Sequence, residues 1–174
     1  LAIKRLKHPS LGSLLDDPSP EVSGAAMRAI YEARMDPLGD RVMEWTPDMA
    51  SSPGVWKRWL WTFYYQANTD QLQQLIEWLQ EQAKDGSQTV SDSTLLEAVH
   101  MLSQWDQVRD LDPVDGLWRP APQRNPTWTF DLWESLTSLM DSKHVSLTET
   151  LLSWGFDRQW PETQPWLERA FMDV

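Results

Sequence analysis

The chain has 174 residues, 12 of them Trp and none of them Cys, and its 15 Lys and Arg against 26 Asp and Glu leave a net charge of −11. Without Cys there is no disulfide, no thiolate-bound zinc, no iron–sulfur centre and no covalent haem attachment, and the acidic balance argues against nucleic acid, whose phosphates call for clustered Lys and Arg. No apolar run approaches the ~20 residues that span a bilayer, so membrane insertion is not expected, and at this length one continuous core is.

The first elements are read from Leu11, Leu14 and Leu15, a short helix that stops at Asp16-Asp17-Pro18, because the residue before a proline avoids helical geometry. Ser19 then suits an N-cap, Pro20 the first helical position and Glu21 the positive end of the dipole. Behind them Val22, Ala25, Ala26, Ala29, Ile30 and Ala33 recur at the intervals of one helical face. Helices are expected next over about Leu38 to Trp45 and Val55 to Gln66. In the second of these Trp56, Leu60, Phe63 and Ala67 form a stripe flanked by Trp59 and Tyr64, with Lys57 and Arg58 turned to solvent.

Leu72, Leu75, Ile76, Leu79 and Ala83 repeat the helical interval, with cap candidates at Asn68-Thr69-Asp70, a Gln-rich wet face and a stop at Asp85-Gly86. After a polar linker, Gly86 to Val90, a helix carrying Leu95, Ala98, Val99, Leu102 and Trp105 is capped by Ser91 or Ser93. Over residues 106–127 periodicity disappears, and Pro113, Gly116, Pro120, Pro122 and Pro126 break any helix. So long a loop is either functional or packed across its neighbours. Helical spacing resumes at Leu132, Leu136, Leu139 and Met140, continues from Ser146 to Trp154, and ends with Pro165 to Met172. The sum is an all-α chain of about eight helices, with none of the alternation that marks strands.

Asp17, Val22, Ala26 and Ala29-Ile30 resemble the second-helix signature of a HEAT repeat, Asp-Pro before Val-Arg-x-x-Ala-x-x-Ala-Leu, with Ser23 in place of the Arg. Joined to Asp112-Pro113-Val114-Asp115-Gly116-Leu117-Trp118-Arg119-Pro120, this stretch is similar to the HEAT-like region of large bacterial membrane-bound dehydrogenases. In that family a sugar-dehydrogenase-type β-propeller precedes the helices and a c-type cytochrome domain follows them. The resemblance implies one HEAT-like domain over 1–174, a short α–α superhelix of about four helix pairs cut from a larger multidomain protein. It also implies a periplasmic or cell-surface location and a scaffolding role between a dehydrogenase and an electron-transfer domain. The Cys-x-x-Cys-His haem motif of the family is absent, so no haem residue carries over.

Catalytic chemistry finds little footing. His8, His100 and His144 are widely spaced, with no His-x-x-x-His pair, so no metal site is expected. No Gly-x-Ser-x-Gly elbow is present. Carboxylates are plentiful, but most fall at helix starts or on polar faces, and two near an aromatic platform would be required for glycan hydrolysis. Lys4, Arg5 and Lys7 are too few for a nucleic-acid surface. No catalytic, cofactor-binding or metal-binding residue is assigned.

Trp56, Trp78, Trp105 and Trp133 lie on or beside apolar stripes and are expected in the core. Trp118, Trp128 and Trp160 lie in proline-rich stretches and admit two readings. In one the loop folds back and Trp118 seals a groove between helices. In the other Trp118 and Arg119, with Trp128 and Trp160, form an exposed contact patch, since Trp and Arg are enriched in interface hot spots. The leading reading is a non-catalytic scaffold with protein partners, neighbouring domains or another chain, and no cofactor. The alternatives are a small α-helical enzyme or ligand-binding domain with a Trp-lined pocket, carbohydrate-active for example, and a free-standing peptide-binding adaptor.

Overall fold

A computed structural model of the chain describes residues 8–47, 50–84, 90–124, 128–141 and 144–172. The basic run Lys4-Arg5-Lys7, the stop at Asp85-Gly86, most of the linker and Pro126 lie outside them. The described residues hold eight α-helices: α1 (Pro20–Glu32), α2 (Gly39–Glu44), α3 (Pro53–Gln66), α4 (Thr69–Gln82), α5 (Asp92–Ser103), α6 (Trp128–Leu136), α7 (Val145–Asp157) and α8 (Gln164–Met172). Four 3-10 helices accompany them, Pro9–Asp16, Asp36–Leu38, Thr137–Asp141 and Pro161–Thr163, together with one isolated β-bridge and no strand. The all-α class is thus as the sequence predicts. Packing groups the chain into two compact units, one of Leu1–Leu75 with Gln107–Gln123, the other of Ile76–Asp106 with Arg124–Val174.

In the first unit, the helix around Leu11 and Leu15 is 3-10 rather than α, with both leucines buried against α1. The helix expected from about Leu38 to Trp45 forms as α2, with a 3-10 turn, Asp36–Leu38, leading into it. Helix α1 starts as predicted. Ser19 Oγ accepts the Val22 amide at 3.4 Å and donates to Glu21 at 2.7 Å, while Asp17 Oδ1 takes the Ser19 amide at 2.9 Å. Its inner face buries Ala26, Met27, Ile30 and Tyr31, and Gly24 lets α3 approach so closely that a Cβ there would stand 3.1 Å from Val55.

Helix α1 ends without the usual glycine. Arg34 sits in the left-handed region at φ 53, its amide donating to the Tyr31 carbonyl at 3.0 Å and the Met35 amide to that of Ile30 at 3.1 Å. Those two bonds are the Schellman closure that glycine ordinarily serves, because it alone adopts this conformation freely.

Helix α3 is apolar nearly all round and buries Val55, Trp56, Trp59, Leu60, Trp61, Phe63 and Tyr64. Arg58 is not turned to solvent as expected. Its Nη2 meets Glu32 Oε1 at 2.9 Å and its Nη1 donates to the Gly54 carbonyl at 2.9 Å, because α1 crosses α3 where Glu32 can reach it. Asn68 and Gln71 cap α4 reciprocally, each side-chain oxygen accepting the other's amide at 2.9 Å. The Gln-rich face of α4 is wet at Gln73 and Gln74, but Gln82 is buried.

In the second unit α5 packs on α6 and α7. Ser91 is its N-cap, Oγ accepting the Thr94 amide at 3.3 Å. Leu95, Val99, Leu102, Leu132, Leu136, Leu147 and Leu151 close the core. Leu139 and Met140 are buried on a 3-10 turn, not on a continuation of α6. Of the tryptophans expected in the core, Trp105 and Trp133 are buried here and Trp56 in the first unit, whereas Trp78 is half-buried. The indole N–H of Trp133 donates to the Leu151 carbonyl at 2.9 Å. Helix α7 ends as α1 does, with Gln159 at φ 58 and the Trp160 amide on the Gly155 carbonyl at 3.1 Å.

Candidate interaction site

The proline-rich stretch of the first unit folds into a small hairpin. Asp112 N donates to the Leu117 carbonyl, Arg119 N to that of Asp110 and Ala121 N to that of Arg109, all at 2.8 Å, with the bridge pairing Leu111 and Trp118 antiparallel. Its turn is made by acidic side chains. Asp112 Oδ1 accepts the Val114 amide at 2.8 Å, Asp115 Oδ1 the Leu117 amide at 2.9 Å, and Gly116 supplies the positive φ of 71.

Extended backbone sends successive side chains to opposite faces, and this decides the fate of the predicted patch. Trp118 points outward, 65 % exposed, beside its bridge partner Leu111 at 60 %, while Leu117, next to the turn and on the other face by the same alternation, is 57 % exposed. Trp118 therefore seals no groove. Arg119 points inward and is only 8 % exposed, so it does not share a surface with Trp118. The reason is aromatic: its guanidinium lies 3.9 Å from the centroid of the Tyr65 ring and 4.9 Å from that of Tyr31.

Beneath the hairpin, Asp112 is buried with its carboxylate 2.9 and 2.8 Å from the Tyr31 hydroxyl, which donates into it. Arg119 Nη1 stands 3.4 Å from Asp112 Oδ2, and Nη2 3.7 Å from Asp36 Oδ1. Burial first, and the Asp112 charge second, push the Tyr31 phenol above its ordinary range, and the same two causes raise Tyr65. Tyr64 donates to the Gln107 carbonyl at 3.2 Å and Arg109 lies 5.4 Å over the Trp61 ring, which hold the base of the hairpin.

No known protein family, curated protein or solved structure matches this chain. The functional reading therefore rests on the residues themselves. Among the described residues no group of His, Asp and Glu is placed to hold a metal ion, and no helix is long and apolar enough to cross a membrane.

Trp128 and Trp160 belong to the second unit. Trp128 opens α6 and is 39 % exposed. Trp160 is half-buried in an aromatic cluster, edge-on to Phe130 at 5.3 Å and 5.4 and 5.9 Å from Trp133 and Trp154. Its proline-rich surroundings imply a loop, but the Gln159 turn folds it back onto α7. Tyr31 and Tyr65 are the site residues that the sequence does not single out, and Asp112 enters there only as part of the Asp112–Pro120 stretch, with no role of its own.

Proposed function

We propose that the chain is a non-catalytic protein-interaction module whose contact element is the hairpin of residues 107–123. The observation that carries this reading is the pairing of exposed Trp118 and Leu111, with exposed Leu117 next to the turn, with an anchored inner face. Three large apolar side chains lie open to water on a backbone tied down by Asp112 and Arg119. Exposed apolar groups clustered on a soluble surface mark contact sites. A contact presented on a rigid element loses less freedom on binding, which raises affinity without added area.

The HEAT-like stacking of helix pairs belongs to the same proposal, supported by the pairing of the first 3-10 helix with α1 and of α1 with α3. In the form suggested by the resemblance of the Asp112–Pro120 stretch, the partner is a neighbouring dehydrogenase or cytochrome domain of one periplasmic protein, and this module sets their spacing.

The test measures affinity, by calorimetry, between the purified chain and each domain encoded beside it in the same reading frame. Trp118→Ala should weaken binding about tenfold or more, the loss that accompanies truncation of a hot-spot aromatic, with the helical circular dichroism unchanged. Equal affinity for Trp118→Ala and wild type would defeat the hairpin reading.

A further inference from the structure

We propose that Arg34 and Arg119 form a receptor for a single oxyanion, a carboxylate or phosphate group, in the cavity of about 530 Å³ that both side chains line together with Asp36, Tyr65, Gln66 and Pro120. The site lies in the first unit, on the opposite face of the hairpin strand from Trp118, and does not depend on what Trp118 contacts.

The argument begins with the donors of Arg119. A guanidinium carries five N–H groups, and strong charge-assisted bonds to carboxylate run about 2.7–2.9 Å. The acidic oxygens around Arg119 stand at 3.4 Å, from Asp112, and 3.7 Å, from Asp36. Asp112 is already engaged at short range by the Tyr31 hydroxyl and the Val114 amide. Its charge makes the burial of Arg119 tolerable and takes one long hydrogen bond from the fork, Nη1 to Oδ2 at 3.4 Å. Tyr65 and Tyr31 fix the plane of that fork, and a planar fork held by stacking is the geometry that recognises a two-oxygen anion bidentately.

Arg34 supplies the second charge. It occupies the left-handed turn after α1, where glycine is conformationally free and a side chain is strained. The turn closes with backbone bonds alone, so nothing in it calls for a long cation. What the side chain does instead is line the cavity that holds Arg119. Strain of this kind concentrates at functional sites.

Two carboxylates oppose an anion: Asp112, buried and shared among the Tyr31 hydroxyl, the Val114 amide and Arg119, and Asp36, which is weakly placed. Asp36 is 71 % exposed along its side chain, stands 3.7 Å from Arg119, and is steadied by Gln66 Nε2 at 2.9 Å. The pair is long and its carboxylate stands in solvent, so an incoming oxyanion competes with Asp36 for the guanidinium. Asp36 acts as a competitor that sets the affinity of the site.

The experiment follows the Arg Nε–Hε signals of the isotope-labelled full chain by NMR during titration with sodium phosphate and, separately, sodium acetate, with ionic strength held by sodium chloride. Arg34 and Arg119 should shift together and saturate at one common concentration, while exposed Arg28 and Arg169 do not saturate. Saturation by phosphate alone assigns a phosphate-bearing ligand, and by acetate alone a carboxylate-bearing one.

Arg34→Gly should raise the half-saturation concentration about tenfold without lowering the thermal midpoint, since glycine suits that turn. Asp36→Asn should lower it severalfold. A linear response shared by all arginines, or an Arg34→Gly titration that superposes on wild type, overturns the proposal.

Discussion

Arg158 and Asp106 face each other as a two-pronged ion pair, Nη1 on Oδ2 and Nη2 on Oδ1, each at 2.6 Å. Asp106 is the more enclosed partner, its side chain 11 % exposed against 30 % for Arg158. The guanidinium hydrogen bonds hold the Asp106 carboxyl below its ordinary value of 3.8, against the opposing effect of burial. A carboxylate whose folded pKa is depressed stabilises the fold fully above its unfolded pKa, and that contribution is lost as pH falls through the folded one. Asp106→Asn should therefore cost about 2 kcal/mol near neutral pH, and the difference from wild type should close as pH falls below 3.8. Urea unfolding of both proteins along a pH series checks it; a gap that persists unchanged at the acid end contradicts the assignment.

Gly155→Ala is expected to reverse the usual preference. In a helix interior Ala is favoured over Gly by about 1 kcal/mol. Here a Cβ would stand 2.4 Å from Thr163 Oγ1 and 3.0 Å from two ring carbons of Trp133, and both side chains are buried. Overpacking of this kind costs about 1–3 kcal/mol, so the variant should melt below wild type. A higher melting temperature would show that the aromatic cluster yields.

Gln159→Gly should do the opposite. Its φ of 58 is a conformation that costs an L-residue about 1 kcal/mol or more, and glycine removes that strain while keeping the bonds from residues 159 and 160. The expected gain is about 1 kcal/mol, a rise of about 2–4 °C in thermal midpoint, read by differential scanning calorimetry. No rise, or a fall, would mean that the Gln159 side chain contributes more than its backbone strain removes.

Tyr31→Phe should cost about 1–3 kcal/mol, because it takes the hydroxyl donor from a buried carboxylate. It should also alter the alkaline limb of stability. Burial, then the Asp112 charge, raises the Tyr31 phenol above its ordinary value of 10.0. Its contribution is therefore complete below that pH and declines as pH rises beyond it. The variant's stability should fall less steeply above about pH 10, with a residual slope from Tyr65. Identical alkaline slopes for the two proteins would refute the coupling of Tyr31 to folding.

Local chemistry made the helix starts legible. Ser19 before Pro20, Ser91 before Asp92 and Asn68 before Thr69 each announce a start, and all three cap their helices through bonds spanning three residues. The apolar stripes are equally local and place Trp56, Trp105 and Trp133 inside. Arg119 was not legible, because a charged residue in a proline-rich stretch reads as exposed. Its burial depends on Tyr31 and Tyr65, which no short window connects to it. The ends of α1 and α7 escaped for a related reason, since a helix stop is ordinarily recognised by glycine and Arg34 and Gln159 stand in its place. The 3-10 segments share apolar spacing with α-helices and differ only in hydrogen-bond register, which a stretch as short as Leu11 to Leu15 does not disclose.

The bond from Tyr31 to Asp112 joins positions 81 residues apart. A ribosome delivers Tyr31 long before Asp112, so during synthesis the partly emerged chain carries α1 with no acidic acceptor for its buried phenol. The first unit can complete itself only once the hairpin has left the exit tunnel, and a chain stalled before that point would keep open the surface that Arg119 and Asp112 later cover.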